Sequence, residues 1–284
     1  MEQRFDSARE FLKALISHDD RWCSAESWKS LWVFRGQADA YLGLVPRSWR
    51  DEGREMLRPL LRRREQENAA YIQEHGQQNA YKDHELPLFA EMDAVHEFTA
   101  LVNELGHPVP TGCPRGWRHV YDDYSQYGFE GRHRPSCYAA CFAQHHGVPT
   151  CLLDFTRSPL VAAYFAAEGA CENPNSETRL GVWAFPLPAC QKADLELLEC
   201  PRSAVSFLHA QDGVFLFRSR LSRWGTYPFD NGLEESAMLL TLPHDCAPEL
   251  VRLLSLQRVT RAHLMPTYDN VTATLKLRWR LGGR

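Results

Sequence analysis

Residues 144–167 read QHHGVPTCLLDFTRSPLVAAYFAA, and this stretch constrains the architecture more than any other. His145 and His146 precede a Gly147-Val148-Pro149 turn. The apolar run Cys151-Leu152-Leu153 predicts a strand that delivers an acid, Asp154, to its end. A hydroxyl-rich corner follows at Thr156-Arg157-Ser158-Pro159, and then an apolar helix from Leu160 to Ala167. Polar groups are thus concentrated where a buried strand hands over to a helix, the kind of junction at which proteins mount binding and catalytic groups.

Two further junctions of this kind flank it. Upstream, the apolar run Leu31–Phe34 reads as a strand ended by Gly36, carrying Arg35, Gly36 and Gln37 to its end. Downstream, His209-Ala210-Gln211-Asp212-Gly213 feeds a strand over Val214–Phe217. Apolar spacing predicts helices over Ala8–Ile16, with Ser7 as cap, and over Leu88–Leu105. The charged stretch Glu52–Ala80 also reads as helical, His107–Pro135 as loop, and Tyr138–His146 as a short helix. Arg179–Phe185 is a strand followed by a Pro-rich turn, Ala237–Leu242 another strand, and Ala247–Leu256 a helix with Pro248 in its first turn. Tyr268–Trp279 fits either helix or strand. Helices and strands alternate without a strict βαβ rhythm, so the expected class is α+β. The expected organisation is an N-terminal helix over 1–21 packed outside a domain over 22–284, which carries a mainly helical insertion at about 50–135.

The chain has 284 residues, 44% hydrophobic and 24% charged, which is ordinary for a globular protein with a sizeable core. A net charge of −4 argues against a globally basic nucleic-acid or membrane binder, although Arg58–Arg64 is a local basic cluster. Nine scattered cysteines contain no Cys-x-x-Cys, so they read as reduced thiols packed as small hydrophobes. The charged amphipathic start has no signal-peptide pattern, and no apolar run approaches the ~20 residues of a membrane span. A reducing cytoplasm is the expected setting, with no membrane partner.

Each junction allows a functional and a plain structural reading. Arg35 presents a planar fork suited to phosphate or carboxylate, or pairs with an acid at the strand end. Gly36 lets another group, or a ligand, come close to the backbone. On an extended chain only one of His145 and His146 faces a given site, where it orders the loop or touches a ligand; no ligand spacing suggests a metal. Asp154 is expected to be buried and paired with Arg157 or Arg35, organising the site or acting as a base. Ser158 and Thr156 are placed to cap the following helix, whose N-terminus is also an anion site. Gln211 is a turn residue or a third polar group at a strand end.

Phe34-Arg35-Gly36-Gln37, then Gln144-His145-His146-Gly147-Val148-Pro149-Thr150 with Leu152-Leu153-Asp154-Phe155-Thr156, then Gln211-x-Gly213-Val214-Phe215 resemble the FRG domain over about Leu31–Phe217. A more distant likeness is to ADP-ribosyltransferases of the Arg-Ser-Glu type. Their NAD site orders an arginine on an early strand, a hydroxyl corner before a helix, and a Glu or Gln-x-Glu on a late strand. That resemblance implies an ADP-ribosyltransferase-like mixed-sheet core and NAD as substrate, with Arg35, Thr156 and Gln211 as catalytic residues. Arg35, Gly36, Gln37, His145, Thr156 and Ser158 would bind the dinucleotide, and no metal is needed. It also implies a protein or nucleic-acid acceptor, and a toxin or phage-defence role. Gln211 departs from the pattern because it carries no charge to offset an oxocarbenium-like transition state. Glu234 and Glu235 lie later than the pattern asks. The rival expectation is a non-catalytic module for nucleotide or nucleic-acid phosphate, using Arg35, Arg47, Arg50 and Arg157, with Trp49 or Tyr41 stacking on a base.

Overall fold

Apolar side chains alternate along the central strands, so each strand offers one residue set to each side of a sheet. The computed structural model describes residues 1–16, 21–22, 30–77, 80–110, 137–174, 177–193, 195–200, 207–218, 233 and 235–282. In chain order the elements are β1 (Glu2–Arg4), α1 (Ala8–Ala14), β2 (Trp32–Gln37), α2 (Asp51–His75), α3 (Leu86–Glu104) and α4 (Cys137–His145). Then come β3 (Leu153–Thr156), α5 (Pro159–Glu172), β4 (Arg179–Pro186), α6 (Leu187–Lys192), β5 (Leu195–Leu198) and α7 (Leu208–Gln211). The chain ends with β6 (Gly213–Arg218), β7 (Met238–Pro243), α8 (Ala247–Leu256), α9 (Arg261–Leu264) and α10 (Tyr268–Arg280).

The described strands form one seven-stranded mixed sheet in the order β1-β7-β4-β2-β3-β6-β5. Among them only the edge pair β1–β7 is parallel; the other neighbours run antiparallel. Phe34, Val182, Ala184 and Leu240 face a cluster built from α1, α5 and α8, including Phe11, Tyr164 and Leu250. Beyond β3, Phe215 and Phe217 pack with Leu88 and Phe89 of α3 and Ala140 of α4. The alternate residues Val33, Phe155, Phe185, Val214 and Leu216 close a third cluster. Each such side chain contributes roughly 1.5–3 kcal/mol when fully buried.

Three departures from the sequence reading have local causes. β2 does not end at Gly36, which pairs with Val182 while Gln37 pairs with Gly181. Its glycine is needed because α5 lies directly on the strand: an added Cβ would stand 1.8 Å from the Ala162 carbonyl oxygen. β3 starts at Leu153 rather than Cys151, because side chains occupy the preceding amides. Cys151 N–H donates to Glu91 Oε1 at 2.7 Å and Leu152 N–H to Thr150 Oγ1 at 3.3 Å. The Pro-rich turn after Phe185 is the short helix α6.

Elsewhere the expected ambiguities close. Tyr268–Arg280 is helical, with the Thr267 hydroxyl accepting from Asn270 N–H at 3.2 Å. Ser7 stands at the N-cap of α1 without a side-chain cap bond. The N-terminal segment, expected as an outer helix, also supplies β1, and Phe11 and Leu15 are buried in the main cluster. Within 50–135, α2 and α3 are helical; residues 111–135 of the expected loop lie outside the described residues. The basic cluster on α2 is partly neutralised: Arg64 Nε donates to Asp93 at 2.6 Å and Arg63 to Glu97 at 3.1 Å. Among the described residues no helix is long and apolar enough to cross a membrane.

Candidate functional site

β2 and β3 are in register only at Phe34 and Thr156. Past that pair β2 stays with β4 as far as Gln37, while β3 stays with β6 from Leu153 to Thr156. The two strands therefore part, and a cleft of about 420 Å³ opens at the split. Arg35, Gly36, His145, Asp154, Thr156 and Gln211 line it, with Phe34, Phe165 and Met265 supplying apolar surface. Three sequence-distant groups, Arg35, Thr156 and Gln211, thus share one hollow.

Arg35 bridges the split itself. Its Nη1 donates to the Asp154 carbonyl at 2.7 Å, a bond that stands in for ladder hydrogen bonding between the strands. The side chain is only 15% exposed, and its nearest carboxylate oxygen, Asp154 Oδ2, is 4.0 Å away on a side chain that is 60% exposed. Among the described residues Arg35 Nε is buried with no hydrogen-bond partner. Burial pulls the pKa of this guanidinium below its ordinary value; Asp154 offsets that and Arg50 adds to it. An arginine keeps its charge regardless, so the cleft contains a desolvated cation with incomplete neutralisation.

Asp154 is exposed rather than buried, a correction to the expectation, because β2 has already parted from β3 at this residue and only β6 pairs with it there. It does not meet Arg157, which pairs with Glu199 at 3.0 Å and donates to the Ser30 carbonyl at 2.8 Å. A side-chain relay from α4 holds Asp154 instead. Gln144 Nε2 donates to Asp154 Oδ2 at 3.1 Å and to the Leu152 carbonyl at 3.3 Å, while Gln144 Oε1 accepts from the Thr150 hydroxyl at 2.8 Å.

The histidine pair sits at the end of α4, not on extended chain. Gly147, at φ +92°, closes the helix, and Val148 N–H donates back to Ala143 O at 2.9 Å, a Schellman ending that favours glycine. His145 points into the cleft, whereas His146 packs edge-on against Phe142 with ring centroids 4.7 Å apart. Burial, helped by the nearby His146, lowers the His145 pKa below the usual imidazole value, with Asp154 pulling the other way. A folded state that resists protonating His145 binds fewer protons than the unfolded chain below about pH 6.5. Stability is therefore expected to fall as pH drops through that range, and His145→Gln to flatten the fall in thermal melts between pH 7.5 and 5. An unchanged slope would exclude His145 as its source.

The hydroxyls divide their work. Ser158 caps α5, accepting from Val161 N–H at 3.4 Å, and does not line the cleft. Thr156 Oγ1 lines the cleft but is already engaged, donating to the Gln211 carbonyl at 2.6 Å and accepting from Ser158 N–H at 3.0 Å. Gln211 ends the single turn α7, which left-handed Asp212 terminates at φ 46°. Its Nε2 donates to Leu264 O at 3.4 Å. Gln37 does not line this cleft; it borders a neighbouring cavity that shares Arg35 and Gly36. Glu235 is exposed and away from the cleft, and Glu234 lies outside the described residues.

The segment running from α4 through β3 into α5 supplies most of this cleft. Residues 117–175 match the FRG domain family. The match is narrower than the expected Leu31–Phe217, so Arg35 and Gln211 lie outside it yet line the same hollow as the FRG residues His145, Asp154 and Thr156. No curated protein and no solved structure matches the chain. The sequence reading gave no role to Gln144, although its spacing to Thr150 and Asp154 in the FRG segment is what builds the relay. Nor did it assign Phe165 or Met265 to the site, since apolar residues on helices signal core packing first. Arg47 and Arg157, offered as part of a phosphate-binding face, are committed elsewhere: Arg47 donates to Gly147 O and to Glu52, both at 2.8 Å.

Proposed function

We propose that the split-sheet cleft binds NAD and that the protein is an ADP-ribosyltransferase-like enzyme that cleaves the nicotinamide–ribose bond. The observation that carries this reading is the convergence of Arg35, Thr156 and Gln211 on one cleft whose buried cation, among the described residues, has its ion-pair partner Asp154 Oδ2 4.0 Å away. Arg35 would clamp an anionic phosphate, and the Gln211 amide would hold a ribose hydroxyl. The mixed sheet, with an arginine on β2, a hydroxyl corner after β3 and a glutamine before β6, supports an ADP-ribosyltransferase-like core.

Asp154 supplies the carboxylate that Gln211 lacks. In the reaction the C1′–N bond breaks, its electron pair passes to the departing nicotinamide ring, and positive charge develops on the ribose. Asp154 stabilises that charge from the cleft wall. Water, or a hydroxyl or amino group of a protein or nucleic-acid acceptor, then forms the new bond at C1′. Its proton passes to neutral His145 or to Asp154. Burial keeps His145 unprotonated at neutral pH and so able to accept it. An NAD-consuming activity of this kind suits a toxin or phage-defence effector in the cytoplasm, where reduced thiols persist.

Incubating the protein with NAD and following nicotinamide release tests the reading. Release is expected from the native chain, and Asp154→Asn is expected to slow it roughly a hundredfold at unchanged NAD affinity. NAD binding with no release at all would leave the non-catalytic phosphate module as the better description.

A further inference from the structure

Arg35 has a second hollow against it. A cavity of about 530 Å³ shares Arg35 and Gly36 with the cleft and is otherwise walled by Gln37, Leu42, Val45, Trp49 and Arg50. Segment 38–50 forms that wall and is tied down on several sides. Gln37 Nε2 donates to Leu42 O at 3.2 Å, and Arg50 Nε to Val45 O at 2.8 Å. Among the described residues Arg50 pairs with no carboxylate, and it lies near enough to Arg35 for the two guanidinium charges to oppose each other. Two arginines set against one hollow, Arg35 with its carboxylate oxygen 4.0 Å away and Arg50 paired with none among the described residues, form an unfavourable arrangement that an anion with two charges would relieve. The apolar Leu42, Val45 and Trp49 make the rest of the wall suitable for a flat heteroaromatic ring. Asp51 borders the same cavity and offers its carboxylate to ribose hydroxyls.

We infer that this second cavity seats the adenosine half of the ligand while a diphosphate bridge lies between Arg35 and Arg50. The site then selects a dinucleotide joined through two phosphates over either of its mononucleotide halves. This inference rests on the NAD reading of the adjoining cleft and assigns the nicotinamide ribose to the cleft and the adenosine to the cavity.

Calorimetric titration of the full chain with NAD, ADP-ribose, nicotinamide mononucleotide and AMP tests it. NAD and ADP-ribose are expected to bind at least about tenfold tighter than either mononucleotide, since each charge-assisted hydrogen bond is worth about a factor of ten. Arg50→Ala, at an exposed position, is expected to weaken NAD and ADP-ribose about tenfold and to leave nicotinamide mononucleotide unchanged, with Arg50→Lys recovering part of the loss. Nicotinamide mononucleotide binding as tightly as NAD, or an Arg50→Ala protein with all four affinities unchanged, would overturn the second cavity's role while the NAD reading stood. No NAD binding to the native chain would overturn both.

Discussion

Arg35→Ala is expected to weaken NAD binding by about two orders of magnitude while leaving the fold as stable as before. The guanidinium spends one bond on the Asp154 carbonyl at 2.7 Å and keeps its other terminal N–H groups for a ligand. Two charge-assisted bonds to phosphate, at about 1.5–3 kcal/mol each, give a loss of this size. Stability responds differently because the folded protein already holds this cation desolvated, with its nearest carboxylate oxygen 4.0 Å away. Removing an incompletely compensated buried charge costs little and can stabilise. Titration and a denaturant melt on the same variant separate the effects. Unchanged NAD affinity in Arg35→Ala would sink the NAD reading, and a collapsed melt would recast Arg35 as a structural brace across the split. Arg35→Lys is expected to recover the charge but not the forked geometry, and so only part of the affinity.

Gly36→Ala carries the largest expected stability loss. The new methyl would meet three backbone atoms of α5: the Ala162 oxygen at 1.8 Å, the Ala162 carbonyl carbon at 2.8 Å and the Ala166 nitrogen at 2.9 Å. Backbone cannot rotate aside as a side-chain tip can, so the whole of α5 must lift from the sheet. That helix buries Val161, Ala162, Tyr164, Ala166 and Ala170 in the main cluster. Overpacking of this kind costs at least about 3 kcal/mol, a large part of the margin of a typical domain. Urea unfolding checks it: a midpoint matching the native protein would mean that α5 does not rest on β2 as described.

The two substitutions sit side by side on β2, and together they show what was readable from sequence. The α+β class was legible because strand–corner–helix junctions repeat, and α8 and β4 follow from uninterrupted apolar patterns. β1 and β5, of three and four residues, are too short to carry a pattern. Residues bordering the cleft were visible as Arg35, His145, Thr156 and Gln211 because each lies near one end of an apolar run. Gln37 and Ser158 were not separable from them: Gln37 adjoins the lining residue Gly36 and Ser158 stands two residues after Thr156, and only the direction of the backbone decides which face each takes. Asp154 was read as buried because its flanking residues are apolar. Nothing in the local sequence signals that its neighbour strand leaves after one pair, which is a tertiary fact. The need for Gly36 was visible as a close approach, but not that the visitor is a helix backbone rather than a ligand.

The edge of the sheet imposes an order on how the molecule is made. β1 pairs with β7, so Glu2 must find Leu239 and Arg4 must find Thr241. During synthesis β1 leaves the ribosome long before its hydrogen-bonding neighbour β7 exists. Closures across such sequence distances are slow, and until then β1 is a bare edge that other chains can recruit. Its acceptance into the sheet is a late event, and holdase protection of nascent chains should matter most before residue 243 emerges.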